Sequence, residues 1–252
     1  MHFFYHIIYI QEGQNYMDFD FKRNEKYYTT SNTMLLVGIA LTLIGLVIWY
    51  MFRWWYIIGN VLVVIPLVGI ILIFMWLGKR SNDADIDSQA SAATEDLHKY
   101  AVEKLNLFKT VNNALPPYTL AGYDFEDLEA RKIVIGRDGR ARTDRYGAFA
   151  FIFTPDKLHV YTRQFSLLEG GIKENSLAIP FLEIAKMEIL EEDFVHHYGK
   201  ENKKEANVKN TVFAITKENG EVIRYYFHNS VDADNIIENV ERYKKQNRAA
   251  QN

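Results

Sequence analysis

The stretches TMLLVGIALTLIGLVIWYMF (residues 33–52) and NVLVVIPLVGIILIFMWL (60–77) decide the architecture, because between Tyr27 and Gly78 the only charged residue is Arg53. A bilayer core of about 30 Å takes roughly 20 apolar helical residues. At about 1.5 Å per residue, one continuous helix over 33–77 would be more than twice as long as that core is thick. The pattern therefore predicts two antiparallel transmembrane helices, a hairpin over 33–78. Its turn falls between Trp49 and Asn60, where WYMFRWWY supplies interfacial Trp and Tyr and Arg53 can reach headgroups. Gly59-Asn60 supplies turn chemistry. Helices of soluble proteins carry a polar stripe, and these runs have none. A cleaved signal peptide is not expected, since the apolar region is double and has no small-residue cleavage pattern behind it.

Working outward, Lys22, Arg23 and Lys26 precede the first run and Lys79 and Arg80 follow the second, against Arg53 alone in the turn. Positive charge stays on the cytoplasmic side, so a cell-membrane protein with two spans and both termini in the cytoplasm is expected. Gly38, Thr42 and Gly45 form a small-residue ladder on one helix face, suited to seating a partner helix closely. Pro66 is expected to kink the second helix. The spans contain no Asp, Glu, Lys or His, which gives no basis for a proton relay.

The 252 residues are 48% hydrophobic and 24% charged, with a net charge of -3 and no Cys. That excludes a chain-wide polycation for nucleic acid, and it excludes disulfides, Cys-ligated metal and thiol chemistry. Residues 1–32 read as a cytoplasmic N-terminal segment. MHFFYHIIYI (1–10) is too short to span, His2 and His6 have no nearby carboxylate, and Met17 is an alternative start. Residues 79–94 read as a polar linker. Within it Asp83, Asp85 and Asp87 imitate the start of a calcium loop, but Ser88 stands where the turn glycine belongs and Thr94 where the last Glu belongs.

Residues 95–252 read as one cytoplasmic α+β domain. An amphipathic helix is expected over 95–114, from Leu97, Tyr100, Ala101, Leu105, Phe108 and Val111, capped by Thr94 and stopped by Pro116-Pro117. From 131 the period changes to two. Strands are expected at 131–137, 146–153, 157–165, 176–180, 184–190, 211–217 and 221–229, with Asn219-Gly220 the clearest hairpin turn. A C-terminal helix follows, with a stripe of Val231, Ile236, Ile237, Val240 and Tyr243.

About seven antiparallel strands closed by one helix resemble the pleckstrin-homology-like fold, a bent sheet plugged by a final amphipathic helix. TPDKLHVYTRQFSLLEGGIKENSLAIPFLEIAKMEI (154–189), with Ile179, Pro180 and Ile184, is similar to bacterial members of that superfamily. The membrane hairpin joined to such a domain also resembles small bacterial YcxB-like membrane proteins. The resemblance implies a fold and, for its lipid-binding members, phosphate held by the first hairpin; it implies no reaction.

No nucleophile elbow, HExxH, Walker loop or GxGxxG is present. No catalytic residue, cofactor or metal site is expected. Glu191, Glu192, Asp193, His196 and His197 are the nearest catalytic-looking cluster, in what reads as a solvated loop over 191–210. Gly136-Arg137-Asp138-Gly139 mimics an RNA-clamping GXXG turn but follows β-branched RKIVI where a helix is needed, so no nucleic-acid partner is expected. The strongest binding feature is RKIVIGRDGRARTDR (131–145). Its Arg131, Lys132, Arg137, Arg140, Arg142 and Arg145 outnumber Asp138 and Asp144. Beside a bilayer each exposed cation gains about 1 kcal/mol from anionic lipid, so anionic headgroups are the expected partner of this hairpin. The expectation is a non-catalytic, membrane-tethered interaction or scaffold protein with an unknown protein partner. The alternatives are a subunit of a larger membrane complex, joined through the Gly38/Gly45 face, and an enzyme with a site near 191–198.

Overall fold

A computed structural model describes residues 19–29, 33–52, 61–77, 81–112, 115–127, 131–198, 204–228 and 231–251. They fall into two compact units, residues 20–86 and residues 87–252, the latter including Phe19. The expectations for residues 1–18, for Arg53 and the Gly59-Asn60 turn, and for Lys79 and Arg80 lie outside the described residues.

The smaller unit holds α1 (Phe21–Tyr28), α2 (Thr33–Phe52), α3 (Val64–Leu77) and the start of α4 (Asp83–Ala92). α2 is long and apolar enough to cross a membrane; α3, at 14 residues, is shorter. The small-residue ladder lies where α2 meets α3. A Cβ on Gly38 would meet Ile73 at 2.9 Å and the Gly69 carbonyl at 3.0 Å, and one on Gly45 would meet Pro66 at 2.6 Å. Contacts thus move backward along α3 as they move forward along α2, so the two helices are antiparallel. Thr42 spends its hydroxyl on the Gly38 carbonyl, 2.8 Å away, which removes a polar group from an apolar surface. The face expected to seat the partner helix closely is met by α3. The helical pattern is interrupted at Val63, and Leu67 N reaches the Val63 carbonyl only at 3.4 Å, as a ring at Pro66 dictates.

A polar clasp joins the two ends of this pair. Buried Ser81 donates to buried Asn24 Oδ1 at 2.8 Å, Tyr27 donates its hydroxyl to Asp83 at 2.8 Å, and Arg23 meets Asp85 at 3.4 Å. The segment before α2 and the segment after α3 are thereby held together.

The larger unit is an α+β fold. A four-stranded antiparallel sheet runs in the order β1-β4-β5-β6: β1 (Tyr118–Tyr123), β4 (Arg145–Phe153), β5 (Lys157–Ser166) and β6 (Ile172–Pro180). The hairpin β2 (Ile133–Ile135) and β3 (Ala141–Thr143) is inserted between β1 and β4. A 3-10 turn at Phe181–Glu183 leads into a three-stranded sheet of β7 (Ile184–Tyr198), β8 (Lys204–Lys217) and β9 (Val222–Phe227). The C-terminal helix α6 (Val231–Gln251) follows. One cluster joins both sheets and α6, with Phe151, Phe153, Phe181, Phe213, Ile236 and Val240 at its centre. α6 presents Ala233, Ile236, Val240 and Tyr243 to it at three- and four-residue spacing. Tyr243 stacks on Phe181 at 4.8 Å, and its hydroxyl sits 2.5 Å from Asn112 Nδ2. Val231, placed in the apolar stripe by sequence, is 83% exposed, and Ala233 takes the inward position. β1 passes so close to β9 that a Cβ on Gly122 would lie 2.6 Å from Phe227 Cα, so only glycine closes the sheets there.

Four local expectations change. The 79–94 linker contains α4, whose carboxylates have definite partners. The helix expected over 95–114 is only α5 (Leu97–Lys104), because Asn106 turns left-handed at φ 53° and Leu107 N folds back onto the Val102 carbonyl. Thr94 does not cap it; its hydroxyl donates to the Ser91 carbonyl. The loop expected over 191–210 is mostly strand, since β7 and β8 stay in register from Glu191↔Thr211 to Tyr198↔Lys204. β1 and β3 add two strands, making nine among the described residues.

Candidate functional site

The basic hairpin forms because β-branched Ile133, Val134 and Ile135 meet the Asp138-Gly139 turn. Gly139 takes φ 78°, and Asp138 Oδ1 accepts the Arg140 amide at 3.0 Å. Gly136 N donates to the Arg140 carbonyl at 2.9 Å, and Lys132 N donates to Asp144 Oδ1 at 3.0 Å, closing both ends. The six cations then divide. Lys132, Arg137, Arg140 and Arg145 are exposed. Arg131 is folded onto Asp124 at 3.2 Å, both side chains 9% exposed. Arg142 is buried, with 2% of its side chain exposed. Arg131 and Arg142 are therefore corrected from surface lipid contacts to internal ion pairs. Two-residue alternation turned Arg142 inward, and the nearest carboxylates captured it.

Arg142 uses every guanidinium N–H. Nε and Nη2 donate to Asp87 at 2.8 and 2.7 Å. Nη1 and Nη2 donate to Asp138 at 2.9 and 2.8 Å, and Nη1 also faces the Arg140 carbonyl at 3.5 Å. Two carboxylates fork one guanidinium, the geometry in which Arg outperforms Lys. Tyr123 donates its hydroxyl to Asp87 at 2.7 Å. Burial alone would raise the Asp87 carboxyl, but hydrogen bonds from Arg142 and Tyr123 outweigh it and lower it. The hydrogen bond from Arg142 holds Asp138 far below the usual carboxylate range. Burial, with the Asp87 charge behind it, pushes Tyr146 up to about 12.

A cleft of about 650 Å³ opens beside this network, lined by Asp87, Tyr123, Arg140, Arg142, Asn210 and His228 among others. His228 Nε2 accepts the Tyr123 amide at 3.2 Å, and its ring lies 5.2 Å from that of Tyr123. Loss of water around the imidazole lowers its pKa. The sequence did not single out Asp87 or His228 for a role. Asp138, four residues from Arg142 across a turn, was a readable partner; Asp87, 55 residues away, was not.

The acidic and imidazole cluster of 191–198 is strung along β7. His197 faces Glu205 on β8 at 3.5 Å, and Glu192 pairs with Arg224 on β9. Asp83, Asp85 and Asp87 are separately engaged by Tyr27, Arg23 and Arg142. Among the described residues no group of three or more His, Asp or Glu side chains gathers around a metal-sized space.

No family model, no curated protein and no solved structure matches the chain.

Proposed function

We propose that this chain is a non-catalytic, membrane-tethered interaction protein: a two-span helical hairpin carrying a cytoplasmic pleckstrin-homology-like domain whose basic hairpin touches anionic lipid. The order of four strands, three strands and a plugging helix supports the fold reading. The observation that carries the lipid reading is the exposure of Lys132, Arg137, Arg140 and Arg145 on one short hairpin of a chain with an apolar anchor. Four such charges supply about 4 kcal/mol at an anionic surface, and less as salt rises.

The clasp between 23–27 and 81–85 supports the two-span reading. If α2 crosses, antiparallel α3 returns, and Asn24 and Ser81 must share one side of the membrane to hydrogen-bond. Those flanks carry the Lys and Arg excess, which supports a cytoplasmic side for both.

The lack of cysteine allows a clean test in the full chain. An Arg137→Cys variant is labelled with a fluorophore and reconstituted into nanodiscs containing headgroup quencher. Quenching that rises from neutral to anionic lipid, and falls when Lys132, Arg140 and Arg145 are changed to Glu, is the expected result. Equal quenching in both charge backgrounds would remove the lipid contact.

A further inference from the structure

A second cleft, of about 530 Å³, opens between β6 and β9, away from the basic hairpin. Its floor follows from strand register. On the four-stranded sheet the cross-strand row Phe151–Val160–Leu177 is apolar. The next row is Phe149–Thr162–Asn175, and the next Gly147–Gln164–Lys173. The inward face thus turns from apolar to polar as it leaves α6, while β9 opposes it with Ile223 and Tyr225. Such a gradient suits a ligand with one apolar and one polar end, and the volume suits a small molecule.

Two groups give the ligand's chemistry. Tyr225 lines the cleft, is 6% exposed and packs its ring 4.7 Å from Phe149, which puts one phenol hydroxyl in a largely apolar wall. Lys173 is the one lining cation without an ion-pair partner among the described residues, since Arg224 is held by Glu192. Of the lining acids, Asp124 is neutralised by Arg131 and Glu221 by Lys217; Glu126 is exposed, where water and salt screen it.

We propose that this cleft binds a small amphipathic carboxylate, with its apolar end on Phe149, Val160 and Ile223, a polar atom on the Tyr225 hydroxyl and its carboxylate on Lys173. The site is independent of the lipid contact proposed for the basic hairpin. Nothing in it performs a reaction; it is a binding site.

The full chain in neutral nanodiscs is titrated with 4-phenylbutanoate and, separately, with 4-phenylbutanamide, and followed by ligand-observed NMR against empty nanodiscs. Saturable binding of the carboxylate is expected, with the amide weaker. Lys173→Glu, at an exposed position, should weaken carboxylate binding about tenfold or more, as loss of a charge-assisted hydrogen bond does. Tyr225→Phe keeps the ring in the core and removes only the hydroxyl, and should weaken binding several-fold. Uptake equal to that of empty nanodiscs, or saturable binding that neither variant changes, would overturn the proposal.

Discussion

Arg142 and Asp87 form a two-toothed ion pair, Nε to Oδ1 at 2.8 Å and Nη2 to Oδ2 at 2.7 Å, that fastens β3 to α4 across 55 residues of chain. The same guanidinium holds Asp138, so one buried positive charge separates two carboxylates that are 42% and 40% exposed. Replacing it with an apolar side chain leaves two carboxylates facing each other. Arg142→Met is expected to destabilise the larger unit by about 1–3 kcal/mol, less than the loss of a fully buried pair, because water screens the two half-exposed carboxylates left behind. Arg142→Lys should recover only part, because an ammonium cannot fork both carboxylates. Chemical denaturation of the three proteins measures this; equal midpoints would show the pair to be idle.

The same network sets an acid limit. Asp87 and Asp138 both titrate below their ordinary value of 3.8, so the unfolded chain binds their protons more readily than the folded one. Their contribution is fully present above about pH 5 and drains as pH falls below 3.8 toward the folded values. In Arg142→Met both carboxylates lose the partner that lowers them, and that part of the acid dependence should vanish. Thermal melts of both proteins between pH 7 and pH 3 give the comparison.

His228 adds a milder dependence in the same direction. Its folded pKa lies below 6.5, so the unfolded state binds the proton first as pH falls through that value. The groups that face it electrostatically are Asp87, Arg140 and Arg142. Stability from this residue should be complete above about pH 7 and decline below 6.5. An NMR titration of the imidazole should place its midpoint below 6.5; a midpoint above that would contradict the loss of water around the ring and the Tyr123 amide bond.

In the α2–α3 pair a single methyl group is the probe. At Gly45 a Cβ would meet the Pro66 ring at 2.6 Å and its nitrogen at 2.7 Å; at Gly170 it would meet nothing within 4 Å. Gly45→Ala should therefore cost about 1–3 kcal/mol of helix-pair stability through overpacking, while Gly170→Ala should be neutral. Unfolding in detergent micelles, followed by a donor and acceptor on α2 and α3, reads the difference. Equal behaviour of the two variants would mean that the helices do not meet at Gly45.

Much of the fold was legible because long periodic runs are strong signals. β4, β5, β9 and α6 lie close to where alternation and helical spacing put them, and Asn219-Gly220 turns as read, with Gly220 at φ 84°. α4 was missed because its ten residues carry little apolar periodicity; its place is set by polar partners far away in sequence. The arms of β7 and β8 were read as loop because their few apolar residues, such as Phe194 and Val208, stand isolated among charged and polar neighbours. A two-stranded ribbon satisfies its backbone through pairing alone and needs no apolar face to show it. The candidate site was half legible. Exposure of Lys132, Arg137, Arg140 and Arg145 follows from composition, whereas the inward turn of Arg142 depends on strand register against Val134, which a lone sequence does not reveal.

The plugging of the sheets by α6 bears on synthesis. Ile236, Val240 and Tyr243 follow every strand in chain order, yet they pack with Phe153 and Phe181. Until that helix leaves the ribosome, the strands lack the cover for their aromatic surface, so nascent chains stalled before residue 236 should be the ones that chaperones hold.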